Sequence, residues 1–279
     1  MNAAATNTGL LGHLKTVIVY LVVAVALYYL YQYFYSSSGG QGVVLLAGKN
    51  KADETLLRPD GKTALNPITT SALPGIYEGG QFSVEFWIYI SNWNVKLGKN
   101  KHIFSLGGQN FDTIRIYLAP FKSDLRVRVH TKEVGQVLTE TSMINELPAS
   151  NRQDTFNNLN VDSQLTNPDQ ICDIADLDLQ RWLHVVVTVS NRTVDTYLDG
   201  KLARSCVLPT FYKVDNNYMA NILQYGGFGG YVSNVTVYDY SLSPDIVYHN
   251  YMSGPTVQAG SILDWLKSFF VPGNPDVNV

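Results

Sequence analysis

The stretch FSVEFWIYI, Phe82 to Ile90, decides the fold. Phe82, Val84, Phe86, Ile88 and Ile90 fall on one face of an extended chain, while Ser83, Glu85, Trp87 and Tyr89 fall on the other, because successive Cβ atoms alternate across a strand. A period of two held this long predicts a sandwich strand with its apolar face in the core. Similar alternation recurs outward at HIFSL (His102–Leu106), TIRIYL (Thr113–Leu118), DLRVRVH (Asp124–His130) and WLHVVVTV (Trp182–Val189). Turn residues separate these runs, and VVLLAG (Val43–Gly48) supplies an earlier strand. The expected organisation is all-β over 43–255.

Two tight turns follow Val189, at Asn191-Arg192 and at Asp199-Gly200. Asp-Gly between extended segments is a strong hairpin signal because glycine accepts positive φ. A three-stranded meander is predicted, with Leu198 opposite Lys201 and Asp195 opposite Arg204. That exposed ion pair is worth about 0.2–1 kcal/mol.

The segments VEFWIYI, RWLHVVVTVSNRTVDTYLDGKL and GGFGGYVSNVTVYDYSLSPDIVYHNYMSG resemble, in content and order, the laminin-G-like, concanavalin A-like jelly rolls. The resemblance covers roughly Val43 to Gly254, and its most specific parts are the W-x-H-V strand, the Y-L-D-G hairpin and the run into Leu242-Ser243-Pro244. It implies a two-sheet jelly roll whose relatives bind glycans or proteins, adhere, or build extracellular and virion surfaces. Ser243 at an N-cap, Pro244 at the first helical position and Gly254 past the end predict a short helix there.

Ahead of the sandwich, Thr16 to Tyr35 reads TVIVYLVVAVALYYLYQYFY, uncharged throughout. At ~1.5 Å per residue this is the length that crosses a hydrocarbon core. Residues 16–35 are therefore expected to be a transmembrane helix that follows an N-terminal segment at 1–15. It runs from Thr16 through Tyr20 to a ring-rich end at Tyr28 and Tyr35 that resembles an interfacial belt. Lys15 just before it leans toward a cytoplasmic N-terminus. Residues 36–42, SSSGGQG, read as a tether. At the far end, 256–279, Ser261–Phe270 places Ile262, Leu266, Phe269 and Phe270 on one helical stripe with Trp265 nearby. This predicts a short amphipathic helix that lies on the bilayer or packs on protein.

Composition narrows the function. Twenty basic against 23 acidic residues give a net charge of −3, so no chain-wide field holds nucleic acid. Some concanavalin A-like relatives are glycoside hydrolases, and that chemistry needs two cooperating carboxylates about 5–5.5 Å apart for retention. Those enzymes resemble one another in an E-x-D-x-E strand, whereas Glu85 is the only acid on the matching strand here. Asp195, Asp199 and Asp239 read as turn or surface residues. His13, His102, His130, His184 and His249 show no paired metal-ligand spacing, and no G-x-S-x-G elbow occurs. No D-x-D-x-D calcium loop is present. Gly226-Gly227-Phe228-Gly229-Gly230 is followed by a strand, so it reads as a turn rather than a phosphate loop. No catalytic residue, metal or cofactor is expected.

Binding candidates are fewer. Arg126, Arg128 and His130 share one strand face, with Arg115 on the preceding strand and Lys96, Lys99 and Lys101 in a nearby loop. The face reads either as a patch for anionic ligands such as sulfated glycans or as an ordinary solvated face. A polar insertion at about 133–169 is too long for a routine connection, so it is either a partner site or disordered. Cys172 and Cys206 are the only cysteines; a disulfide and two buried thiols both remain open. Asn191-Arg192-Thr193 and Asn234-Val235-Thr236 match the glycosylation sequon, the second within a predicted strand. The expectation is a non-enzymatic, single-span membrane protein whose partners are the lipid bilayer and neighbouring structural proteins. Its setting resembles that of minor capsid proteins of membrane-containing DNA viruses; a membrane-tethered lectin or adhesion module at a cell surface is the alternative.

Overall fold

A computed structural model describes residues 7–36, 42–58, 60–108, 111–131, 156 and 172–255. The chain divides into two compact units, Met1–Gln41 and Gly42–Val279.

The first unit contains α1 (Asn7–Ser36), a 30-residue helix. Side chains from Lys15 to Leu30 are exposed throughout. Among the described residues no helix is long and apolar enough to cross a membrane. The stretch of α1 with described side chains rises only about 24 Å against the ~30 Å of a bilayer core. The span expected over 16–35, from Thr16 and Tyr20 to Tyr28 and Tyr35, is thus not found among them.

The second unit is an antiparallel sandwich. A six-stranded sheet runs in the order β1 (Val43–Lys51), β10 (Gly229–Tyr238), β2 (Gln81–Asn92), β6 (Trp182–Ser190), β7 (Thr193–Leu198), β8 (Lys201–Val207). A four-stranded sheet runs β5 (Leu125–Val129), β4 (Asp112–Leu118), β3 (Lys101–Gly107), β9 (Met219–Ile222). The alternating apolar residues of β2 and β6, including Phe82, Phe86, Ile88, Val185 and Val187, meet Ile103, Ile114, Ile116 and Val127 in one core. Burying each such side chain contributes about 1.5–3 kcal/mol, so this core is the main term holding the sheets together. The expected all-β sandwich is observed and fits a jelly roll.

Between the 3-10 turn at Gln224–Gly226 and β10, Gly227 has φ 47° and passes so near β1's end that a Cβ would lie 1.9 Å from the Ala52 carbonyl oxygen. The glycine run is therefore a turn leading into a strand.

Two local expectations are corrected. Leu198 does face Lys201, but a register shift between Thr196 and Tyr197 puts Arg204 opposite Thr196 and Ser205 opposite Asp195. The extra residue in β8 breaks the anticipated Asp195–Arg204 pair, and the Ser205 hydroxyl donates to Asp195 instead. Helix α2 (Pro244–Ser253) has Ser243 at its N-cap, yet that side chain makes no capping bond to the backbone. The Ser243 hydroxyl bonds the Asp245 carboxyl, which holds that acid below its ordinary pKa.

Candidate functional site

Both outer faces of the sandwich carry polar side chains, and both are buried. On the six-stranded sheet the second face of FSVEFWIYI is covered rather than solvated: Ser83, Glu85 and Trp87 are at most 6% exposed. The cover includes α2 and the loop before it, where Leu242 and Val247 pack with Val186 and Tyr197. Trp87 stacks on Tyr251 of α2 with centroids 5.9 Å apart, and lies 4.7 Å from the His184 ring.

Glu85 is an acid set among aromatic rings, and three donors from distant parts of the chain converge on it. His184 Nε2 lies 2.7 Å from one carboxylate oxygen, Asn250 Nδ2 donates to the other at 3.0 Å, and the Tyr238 hydroxyl donates to that same oxygen. Burial first, and then the Glu85 charge, hold the Tyr238 phenol far above its ordinary pKa. His184 Nδ1 is buried without a hydrogen-bond partner.

This cluster floors a cavity of about 620 Å³ whose lining includes Glu85, Trp87, Asn234, Tyr238, Asn250 and Gly254. Among the described residues that line it, Glu85 is the one carboxylate. Asn234 is used structurally: its Oδ1 accepts from Gly48 N–H and its Nδ2 donates to the Pro255 carbonyl. Its sequon is therefore occupied by internal bonds, whereas Asn191 stands exposed in a turn with φ 55°. Asp199, read as a turn or surface residue, sits in the turn after β7 with φ 51° and bonds the His184 N–H at 2.9 Å and Arg181 at 2.6 Å.

The four-stranded sheet brings the predicted basic residues together, but not in water. Arg115, Arg126, Arg128 and His130 are 4%, 1%, 7% and 8% exposed, so the face is neither solvated nor an open patch. Arg115 faces Arg128 across the strands, and Arg126 faces Tyr117. Arg115 pairs with Asp112 and Arg128 with Asp173, two partners that a strand-by-strand reading did not reveal. Phe156 covers part of this face, 5.3 Å from the Tyr117 ring and 5.9 Å from His102.

His102, in the same row as Tyr117, accepts the Gln224 N–H at Nδ1, so its proton sits on Nε2. Burial, with Arg115 and Lys96 nearby, keeps its pKa well below the ordinary imidazole value. Lys96 and Lys99 lie in the loop before β3, while Lys101 begins that strand, buried under the Trp93 ring at 4.1 Å. Desolvation, then Lys96, pushes the Lys101 amine down to about 8.

Cys172 and Cys206 form a disulfide with Cα atoms 6.0 Å apart. Among the described residues no group of His, Cys, Asp and Glu could hold a metal ion. The amphipathic segment with Ile262, Trp265, Leu266, Phe269 and Phe270 lies outside the described residues. So does the insertion, Phe156 excepted.

Among solved structures, the chain is similar to the binding domain of botulinum neurotoxin DC in complex with SialylT. That match has 14% identity and a TM-score of 0.41, covering 63% of this chain and 36% of that one. The same domain in complex with rat synaptotagmin II matches at 15% identity, 63% and 36% coverage and TM-score 0.36. The botulinum neurotoxin serotype G binding domain matches at 11%, 63%, 37% and 0.38. The chain thus spans little more than a third of those structures' length. No curated protein matches the chain. A family profile described as the concanavalin A-like lectin/glucanases superfamily, of laminin-G type, matches residues 61–247. The protein therefore belongs to that family, the one whose motifs its strands resemble.

Proposed function

We propose that the chain is a non-enzymatic, membrane-anchored interaction protein that works through the surface of its sandwich. The observation that carries this reading is the use made of Glu85. Its carboxylate is satisfied by His184, Tyr238 and Asn250, and no second acid lines its cavity among the described residues. In this reading the acid so held serves to position the aromatic wall that Trp87, His184 and Tyr251 form around it.

The anchor is read from Thr16–Tyr35, uncharged over its whole length, and from the exposure of its apolar side chains. Val17, Tyr20, Leu21 and Tyr29 are all more than half exposed. An apolar helix surface of this extent is unfavourable in water by roughly 25 cal/mol per Å² and is at home in lipid. The preferred setting is an assembly in which the sandwich docks neighbouring structural proteins above a membrane, as a minor capsid component linking a membrane to a protein shell. In that reading 1–15 precede the membrane, 36–42 tether the domain, and the stripe Ile262–Phe270 adds a second contact with lipid or protein.

A membrane-tethered lectin is the second reading, favoured by the cavity beside Glu85 and Trp87, which has the mixed aromatic and polar lining that ligand sites show. Purification of the intact particle or membrane that holds the protein separates the two. The scaffold predicts stoichiometric co-purification with shell proteins and no specific signal on a glycan array. Specific sugar binding lost in Asn250→Ala would replace the scaffold with the lectin. Hydrolysis of any glycan at a rate abolished by Glu85→Gln would overturn both.

A further inference from the structure

Among the described residues, the outer face of the four-stranded sheet has one arginine more than it has acids to meet them. Its described cations include three arginines in two adjacent strands, Arg115 on β4 and Arg126 and Arg128 on β5. The two described acids that meet them, Asp112 and Asp173, pair with Arg115 and Arg128. Arg126 is 1% exposed, and its Nε, Nη1 and Nη2 all lack a hydrogen-bond partner. The contact it does make is with the Tyr117 ring, 5.9 Å from the guanidinium carbon. That contact is too distant to replace hydration. A guanidinium cannot shed its proton to escape burial, so a buried one without an anion is strongly unfavourable.

Other orphan groups on this face share the same character. His102 Nε2 carries the ring proton, is buried and has no acceptor. The Ser105 and Thr113 hydroxyls are buried and unbonded as well. Each of these groups is able to donate, so the face offers donors in excess of acceptors. Nests of donors around a fixed cation are how proteins hold carboxylate, sulfate and phosphate groups.

We propose that this face is a receptor for one small oxyanion, a carboxylate, sulfate or phosphate group seated on the Arg126 guanidinium beside Tyr117. With Arg126 only 1% exposed, the ligand is a single anionic group and not an extended polyanion lying flat on the sheet. The site is on the opposite sheet from the Glu85 cavity and involves no residue of α1, so it stands apart from the function proposed above.

The test uses the full chain in a neutral detergent and a buffer free of oxyanions. Its melting temperature is followed against acetate, sulfate and phosphate, with sodium chloride matching ionic strength in each arm. The three arms tell carboxylate from sulfate from phosphate. At least one anion is expected to raise Tm saturably, by about 2–4 °C, while heparin retention is unchanged between the wild type and Arg126→Gln. Arg126→Gln is expected to abolish the Tm response and to leave Tm in anion-free buffer equal or higher. Indifference of the wild-type chain to all three anions would overturn the proposal, and so would a response that survives Arg126→Gln. A fall in Tm on Arg126→Gln in anion-free buffer would also overturn it, because the guanidinium would then have a partner within the chain.

Discussion

The two outer faces of the sandwich solve the same problem in opposite ways. On the six-stranded sheet one buried acid, Glu85, is met by three donors. On the four-stranded sheet three buried arginines are met by two described acids. The first face is closed electrostatically by the chain itself, whereas the second leaves Arg126 waiting for an anion. Burial of a polar group is thus not by itself a sign of either structure or binding. The distinction lies in whether its hydrogen bonds are satisfied from within.

Substitutions can break this contrast. The largest effect is expected from Asp173→Ala, which takes away the carboxylate paired with the buried Arg128 guanidinium and should cost about 3 kcal/mol in urea denaturation. Glu85→Ala comes next, at about 2 kcal/mol, because the Tyr238 hydroxyl and Asn250 amide lose their shared acceptor inside the fold. Arg126→Met is the sharpening case. It removes a charge that lacks a hydrogen-bond partner and keeps the buried stem, so stability is expected to hold or to rise. A loss as large as that of Asp173→Ala would erase the difference between the arginines.

A pH titration sharpens the account from another side. The Lys101 amine is held down to about 8 in the fold, against an ordinary value of 10.5. The unfolded chain therefore binds more protons between those values, and stability rises as pH rises through that window. Thermal melts from pH 8 to 10 should show this gain, and Lys101→Met should flatten it. Above pH 10 the Tyr212 phenol, held high mainly by burial, works the other way, because the unfolded chain releases that proton first.

Much of this architecture was legible in the sequence. The alternation of Phe82 to Ile90 and of Trp182 to Val189 marks the two central strands of the large sheet because a strand's inner face must be apolar. Asp199-Gly200 marks a hairpin because the turn needs positive φ. What alternation cannot say is what covers the second face. Glu85 is joined by His184, Tyr238 and Asn250 from 99 to 165 residues away, and no local pattern announces a meeting at that range. The same blindness makes Arg126 and Arg128 read as solvent-facing when they are buried. Trp87 and Tyr89 on the second face of that strand are the available clue, since rings of that size rarely line water. The slip at Thr196 and Tyr197 was hidden for another reason, because a bulge changes register without changing composition.

The protein's proposed role rests on attachment to lipid, and flotation of the full chain with phospholipid vesicles tests it most directly. Wild-type chain is expected to float with the vesicles and to stay there in high salt and in carbonate. The double variant Val22→Arg, Val25→Arg should sediment with its β-rich circular-dichroism spectrum intact, since each central arginine costs about 2.5–3.5 kcal/mol on insertion. Wild-type chain that remains at the bottom of the gradient, dispersed without detergent, would contradict the account.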